Sequence, residues 1–246
     1  MLLFFSAPMS AQAKKKKAPE MKAEPELVQP VKVTQAESSN ELTAGLGVVY
    51  NTYRSNLVSL GQYSLMAKVA ATYRFESEKA FTLQFSSFFT ALSFGSTQYT
   101  NRTGVVDDVK VRFLGLNLRL GYDTPFLVDP WKFQMCLGWY ANTMFVTNDR
   151  FGYQWANGPQ LYPTLSYRFE DRSILGGYVK YSPVLAGTFY ATINYELAAG
   201  LYYHFPMSWL GDRHAVVNFD FAHLNVRPDR VQVFSNSTSL GLGVQI

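Results

Sequence analysis

The sequence predicts an all-β fold, namely a transmembrane antiparallel up-and-down β-barrel of about ten strands, with eight or twelve strands as alternatives. Three observations lead to this prediction. Apolar residues make up 48% of the 246 positions, yet the mean hydropathy is −0.06 because they alternate with polar residues. Aromatic residues reach 16% and gather near one end of the predicted strands. No apolar run approaches the roughly 18 residues that a membrane-spanning helix needs.

The alternation predicts strands with one face in lipid and the other in a polar lumen. In the clearest segment, 114–122, four leucines and Tyr122 occupy one face, opposite Gly115, Asn117, Arg119 and Gly121. Ten such segments follow one another, near residues 42–51, 65–75, 81–86, 114–122, 133–142, 160–169, 175–181, 196–205, 217–221 and 240–246. A soluble sandwich or a lipocalin-like barrel would also alternate, but its apolar face would point inward.

The connections between these segments are predicted to alternate in length. Short ones lie near residues 76–79, 123–130, 170–172 and 206–213, and longer ones near 55–63, 94–108, 148–158, 182–192 and 225–236. Membrane barrels have short periplasmic turns and longer outer loops. An even number of strands therefore places both ends of the barrel in the periplasm.

Two segments precede the predicted barrel, which spans residues 41–246. Residues 1–13 are predicted to be a signal peptide, truncated because it lacks a basic start, in which an apolar stretch leads to the cleavage pattern Ala11-Gln12-Ala13. The alternative is a frayed apolar N-terminus. Residues 14–40 hold six Lys, four Glu and three Pro without an aromatic residue, which predicts a disordered periplasmic tail.

Aromatic residues near the short turns predict an interfacial girdle, because amphipathic rings favour the headgroup level of a bilayer. The predicted girdle consists of Tyr73, Phe75, Tyr122, Trp131, Tyr167, Phe169, Tyr203 and Phe205.

Charged residues on the polar face define the candidate site inside the barrel. They are Lys68, Arg74, Arg119, Arg168, Lys180, Glu196, His204 and Asp220. One interpretation is a structural network in which the two acids pair with some of the bases, because an unpaired buried charge is costly. The other is an anion path, in which the bases near the short turns form a ring at the periplasmic mouth.

The segment Glu41–Ile246 resembles bacterial outer-membrane β-barrel proteins as a broad class, on its alternating strands, its turns and a last strand that reaches the C-terminus. Members of that class commonly end in an aromatic residue, whereas this chain ends in Ile246. The resemblance implies a location in the bacterial outer membrane and contact with outer-membrane lipid.

Three functions follow as hypotheses. The first is a structural or scaffolding role in which the tail, residues 14–40, contacts a periplasmic protein or peptidoglycan. The second is a narrow anion-preferring pore. The third is a hydrolase at the outer rim that uses His223 with an aspartate such as Asp107, Asp108, Asp149 or Asp229.

Catalysis is the weakest of the three hypotheses, so the sequence predicts no enzyme, no catalytic residue, no metal and no cofactor. A net charge of +4, divided equally between the tail and the barrel, lacks the concentrated basic face of a nucleic-acid binder. The single cysteine, Cys136, excludes an intramolecular disulfide.

Overall fold

The computed structural model describes residues 40–55, 59–75, 80–94, 99–101, 104–106, 111–146, 153–187, 194–211, 213–226 and 233–246. The described residues lie in the compact unit Glu37–Ile246. The predicted signal peptide and residues 14–39 of the predicted tail lie outside them, so both remain predictions.

The described chain is built almost entirely of strands. They are β1 Glu41–Ser55, β2 Ser59–Arg74, β3 Phe81–Phe94, β4 Tyr99–Asn101, β5 Gly104–Val106, β6 Val111–Asp123, β7 Trp131–Val146, β8 Tyr153–Arg168, β9 Ile174–Pro183, β10 Ala186–Gly187, β11 Tyr195–Pro206, β12 His214–Val226 and β13 Val233–Gln245. A short 3-10 helix covers Ser208–Leu210. None of the described segments is a helix long and apolar enough to cross a membrane.

Ten long strands form a closed antiparallel barrel. Each one pairs with its neighbours in the order β1, β2, β3, β6, β7, β8, β9, β11, β12 and β13, and β1 pairs with both β2 and β13. Closure leaves the wall without an open edge. The predicted ten-strand barrel is confirmed, and the alternatives of eight and twelve strands are wrong. The short strands β4, β5 and β10 were not predicted from the sequence.

The apolar face of the wall points outward. Leu46, Leu118 and Leu242 expose 72%, 52% and 66% of their surface, whereas inward neighbours such as Arg119 and Ser239 are buried. A closed barrel satisfies its backbone internally, so this outer surface suits a hydrocarbon environment. The soluble alternatives are wrong, because both require the apolar face inside.

The strands are longer than the alternation predicted, and the connections are correspondingly shorter. The predicted connection near 55–63 lies mostly in β1 and β2, and β3 runs eight residues beyond its predicted end at Ser86, to Phe94. We name the end that holds Glu41 and Ile246 the terminal end, and the opposite one the distal end. The predicted alternation in length holds for two distal connections, residues 95–110 and 184–194, which carry β4, β5 and β10. It is wrong for the distal connections 56–58, 147–152 and 227–232, which are no longer than the longest terminal ones.

Pro163 interrupts one seam of the wall, between β8 and β9. β8 pairs with β9 at Leu161–Tyr181 and again from Thr164–Tyr178, but not at the intervening Pro163. Proline has no N–H to donate to the ladder. The distal part of β8 pairs instead with β10, in a register shifted by one residue.

The β8–β9 turn at the terminal end is closed by its own side chains. The amide and the hydroxyl of Ser173 both donate to Asp171 Oδ1, at 2.9 and 2.6 Å. These hydrogen bonds lower the pKa of the Asp171 carboxyl, the hydroxyl contributing most. Arg172 takes a left-handed conformation with φ of 68°.

Candidate functional site in the barrel lumen

All eight charged residues predicted for the lumen lie on the inward-facing side of their strands. Arg119, Lys180 and Glu196 are buried, and Lys68, Arg74, His204 and Asp220 are partly buried. Arg168 is exposed at the terminal end of β8. The structure brings these residues into separate groups rather than into one ring.

Asp220 on β12 is the centre of the largest group. Its carboxylate pairs with the ammonium of Lys68 on β2, which β1 and β13 separate from β12. It also accepts hydrogen bonds from Tyr178 Oη at 2.8 Å, Asn218 Nδ2 at 2.5 Å and Ser239 Oγ at 3.2 Å. Four donors therefore satisfy one inward-facing carboxylate.

Two stacked tyrosines connect this carboxylate to Arg119. The rings of Tyr178 and Tyr162 stack at 4.6 Å between centroids, with an interplanar angle of 21°. The Arg119 guanidinium lies over the Tyr162 ring at 4.0 Å, in a cation–π contact, and its Nη2 donates to Ser86 Oγ at 2.6 Å. We name Lys68, Asp220, Tyr178, Tyr162, Arg119 and Ser86 the transverse network. Its members come from β2, β12, β9, β8, β6 and β3.

Inward-facing glycines make room for the transverse network where it passes over intervening strands. A Cβ on Gly200 of β11 would lie 2.4 Å from the Tyr178 ring and 2.6 Å from Asp220 Oδ1. A Cβ on Gly138 of β7 would lie 2.0 Å from the carbonyl oxygen of Leu118 and 2.8 Å from Arg119 Cγ. All of these distances are shorter than real Cβ contacts. β11 therefore needs glycine for the Tyr178 ring to pass, and β7 needs it for the close approach of the β6 backbone and Arg119.

A second group lies where β6 and β7 meet the terminal end. Asp123 pairs with Arg74 and with Lys132, each at 2.8 Å, and accepts from Gln134 Nε2 at 2.6 Å. Gln84 Nε2 in turn donates to Gln134 Oε1 at 2.6 Å. The Asp123 carboxylate therefore balances the charge of Arg74, one of the bases predicted to form a ring at the periplasmic mouth.

A third group lies nearer the distal end, around Lys180 and Glu196. Lys180 Nζ lies 2.9 Å from Glu196 Oε1 and 4.5 Å from the centroid of the Tyr140 ring. Beside this pair, Gln160 Oε1, Ser182 Oγ and Glu196 Oε2 are buried without a hydrogen-bond partner among the described residues. The register places Ser182 directly opposite Glu196. Oxygens in such a position are typically satisfied by buried water.

Sequence reasoning missed several members of these groups, among them Asp123, Lys132, Tyr162 and Tyr178. Asp123 was assigned to a turn, and the predicted fifth strand began one residue after Lys132. Tyr162 and Tyr178 are aromatic residues on the polar face, and that position in the alternation was the signal that could have identified them.

The predicted girdle residues lie together at the terminal end of the wall. Ring centroids are 5.4 Å apart for Tyr73–Phe75, 4.9 Å for Trp131–Tyr167 and 5.9 Å for Tyr203–Phe205. Tyr122 contacts Phe81 at 5.0 Å and Phe169 contacts Tyr167 at 4.8 Å. A distal set, which the sequence analysis did not single out, includes Tyr50–Tyr63 at 4.6 Å and Tyr181–Tyr195 at 6.4 Å.

The rim-hydrolase hypothesis stays a hypothesis because, of its residues, only His223 lies in the described chain. His223 faces outward from β12, on the side of the wall opposite to Asp220, and its Nδ1 lies 2.6 Å from Asn236 Oδ1. The loop residues Asp107, Asp108, Asp149 and Asp229 lie outside the described ranges. Within those ranges, no group of three or more His, Cys, Asp or Glu side chains could hold a metal ion.

Comparison with known proteins gives a likeness of fold. Neither a protein-family model nor a curated protein sequence matches the chain. The outer membrane protease OmpT from Escherichia coli superposes with a TM-score of 0.61 at 10% identity, over 85% of this chain and 97% of OmpT. The translocator domain of the autotransporter NalP from Neisseria meningitidis gives a TM-score of 0.46 at 11% identity, over 84% and 89% of the two chains.

The superposition on OmpT therefore identifies the architecture. The chain has the fold of the bacterial outer-membrane β-barrels, and the class predicted from its sequence is confirmed. A superposition at 10% identity shows that the two proteins share a fold, but it does not assign the proteolytic activity of OmpT to this chain.

Proposed function

We propose that this chain is an outer-membrane β-barrel with a closed lumen that acts as a scaffold, holding the tail, residues 14–40, where it contacts a periplasmic protein or peptidoglycan. The observation that supports a closed lumen is the transverse network. Its side chains come from six of the ten wall strands and project into the lumen, where they narrow the path of a permeating solute.

Ion pairing inside the barrel supports the structural interpretation of its charges. Lys68 pairs with Asp220, Arg74 with Asp123 and Lys180 with Glu196. Asp220 and Asp123 accept further hydrogen bonds, the arrangement that makes a buried pair tolerable, and the Tyr140 ring lies close to Lys180 of the third pair. A ten-stranded barrel is narrow enough for side chains to fill it.

Deleting residues 14–40 tests the scaffolding role. We expect the full-length protein in detergent to co-sediment with isolated peptidoglycan, or to retain a periplasmic protein, and the deletion variant to lose this binding. The variant should keep the heat-dependent gel mobility of a folded barrel, because the tail precedes β1. A matched control replaces the tail with a Gly/Ser linker of equal length. Equal binding by all three proteins would contradict the proposal.

A narrow anion-preferring pore is the second candidate, and the position of Arg119 favours it. Arg119 contacts the Tyr162 ring and Ser86, but forms no ion pair with a carboxylate in the described part of the chain. Arg168 adds an exposed positive charge at the terminal mouth. If the barrel conducts, reversing both charges with Arg119→Glu and Arg168→Glu should shift its reversal potential in a salt gradient from anion towards cation preference. An unchanged reversal potential would exclude these residues as the filter.

A further inference from the structure

A polar patch interrupts the apolar outer wall at the distal end of four neighbouring strands. Its members are Arg54 on β1, Tyr195 on β11, His223 and Asn225 on β12, and Phe234 and Asn236 on β13, which we name the distal patch. The ladders place Arg54 opposite Phe234, His223 opposite Asn236, and Tyr195 opposite Asn225. All six lie on the outward-facing side of strands whose registers run without a shift.

The distal patch begins where the apolar band ends. Along β12 the exposed Phe219 and Phe221 precede His223, and along β13 Leu242 and Leu240 lie on the terminal side of Asn236. On β1 the exposed Val48 and Tyr50 precede Arg54. The patch is therefore placed at the level where the headgroups of the surrounding lipid would lie, not in the hydrocarbon.

Contacts within the distal patch orient its polar groups. His223 Nδ1 lies 2.6 Å from Asn236 Oδ1, and Asn225 Nδ2 donates to Tyr195 Oη at 3.4 Å. The His223 ring lies between Phe234, at 5.9 Å, and Tyr195, at 6.3 Å. These contacts use one atom of each polar side chain, so imidazole Nε2 and the second amide atom of each asparagine remain available to a ligand.

Arg54 supplies the charge of the distal patch. Its side chain is exposed, and its cross-strand position next to Phe234 makes it a diagonal neighbour of Asn236. In such a pair the Cα atoms lie about 7–8 Å apart, within reach of a long side chain. No ion pair joins Arg54 to a carboxylate within the described ranges, so its guanidinium can take an anionic ligand.

We infer that the distal patch binds the headgroup of a phosphorylated glycolipid in the outer leaflet. The guanidinium of Arg54 would hold a phosphate through paired N–H donors. The amides of Asn225 and Asn236 and the imidazole of His223 would bond sugar hydroxyls, which offer both donors and acceptors. Phe234 and Tyr195 supply the apolar faces against which a sugar ring packs. A phospholipid with a small headgroup would use Arg54 and leave the amides and rings unused. The inference rests on the proposed location in the outer membrane, in an orientation that places the distal end on the outer face of that membrane.

Native mass spectrometry of the full chain in detergent tests this inference, with lipid A, phosphatidylglycerol and inorganic phosphate as separate probes. Lipid A is expected to bind at least about tenfold more tightly than phosphatidylglycerol, and inorganic phosphate should not displace it. The double variant Arg54→Gln/Asn236→Ala should lose about tenfold or more in lipid A affinity, because a charge-assisted contact and a hydrogen bond are removed.

The matched control is Arg112→Gln, which removes an exposed outward-facing arginine at the distal end of β6, three strands away from Arg54. Its lipid A affinity should equal that of the unaltered chain. Equal losses in both variants, or equal affinity for lipid A and phosphatidylglycerol, would overturn the inference. Heat-dependent gel mobility verifies that each variant is folded. The tail-deletion assay is independent of these substitutions, so failure here leaves the scaffolding proposal standing.

Discussion

Replacing Leu118 with arginine is expected to lower the free energy of unfolding by about 2–4 kcal/mol. Leu118 lies halfway along β6, faces outward and exposes 52% of its surface. If the wall faces lipid, the substitution places a charge near the bilayer midplane, where hydration is lost. Urea-induced unfolding in lipid vesicles, followed by tryptophan fluorescence, measures the change.

The control for this prediction is Leu42→Arg, at the terminal end of β1, where the same charge lies near the interface. We expect a cost of about 0–1 kcal/mol there, because the penalty falls with distance from the midplane. If the wall faced water, arginine at Leu118 would be neutral or stabilising. Equal, small effects at both positions would therefore contradict the membrane-spanning assignment.

Replacing Asp220 with alanine is expected to lower the free energy of unfolding by about 3–5 kcal/mol. The substitution leaves the Lys68 ammonium without its counter-charge inside the barrel. It also removes the acceptor of Tyr178, Asn218 and Ser239. The same unfolding measurement in vesicles applies.

The double variant Lys68→Met/Asp220→Ala separates charge pairing from simple loss of contacts. Removing both charges eliminates the uncompensated ammonium, so much of the lost stability should return. Glu170→Ala, at an exposed turn, controls for the loss of a carboxylate outside the lumen. A double variant no more stable than Asp220→Ala would mean that Lys68 and Asp220 do not stabilise each other.

The orientation of the wall could be predicted from the sequence because alternation with a period of two assigns every side chain to one of two faces. In β6 the leucines at 114, 116, 118 and 120 left no alternative to an apolar face opposite Arg119. The strand ends were harder to predict. In β1 the alternation of apolar residues stops at Tyr50, but the backbone ladder continues through Arg54 to Ser55. The backbone hydrogen bonds between strands do not depend on apolar side chains. The pattern of apolar residues therefore underestimates the length of a strand.

The lumen groups could be predicted only as a list of charged residues. The alternation places Tyr162 and Tyr178 inside, but their stacking depends on the register of β8 against β9. Partners such as Lys68 and Asp220 are 152 residues apart and meet only because β2 and β12 lie near the closure of the barrel. No local pattern in a single sequence contains that information.

Conductance of the full-length protein in a planar bilayer tests the closed lumen most directly, with insertion verified beforehand by heat-dependent gel mobility. The transverse network predicts a silent bilayer for the unaltered chain, and discrete conductance steps for Tyr162→Ala/Tyr178→Ala, which removes the stacked rings between Arg119 and Asp220. Discrete, anion-selective steps from the unaltered chain would contradict a closed barrel and make transport its leading function.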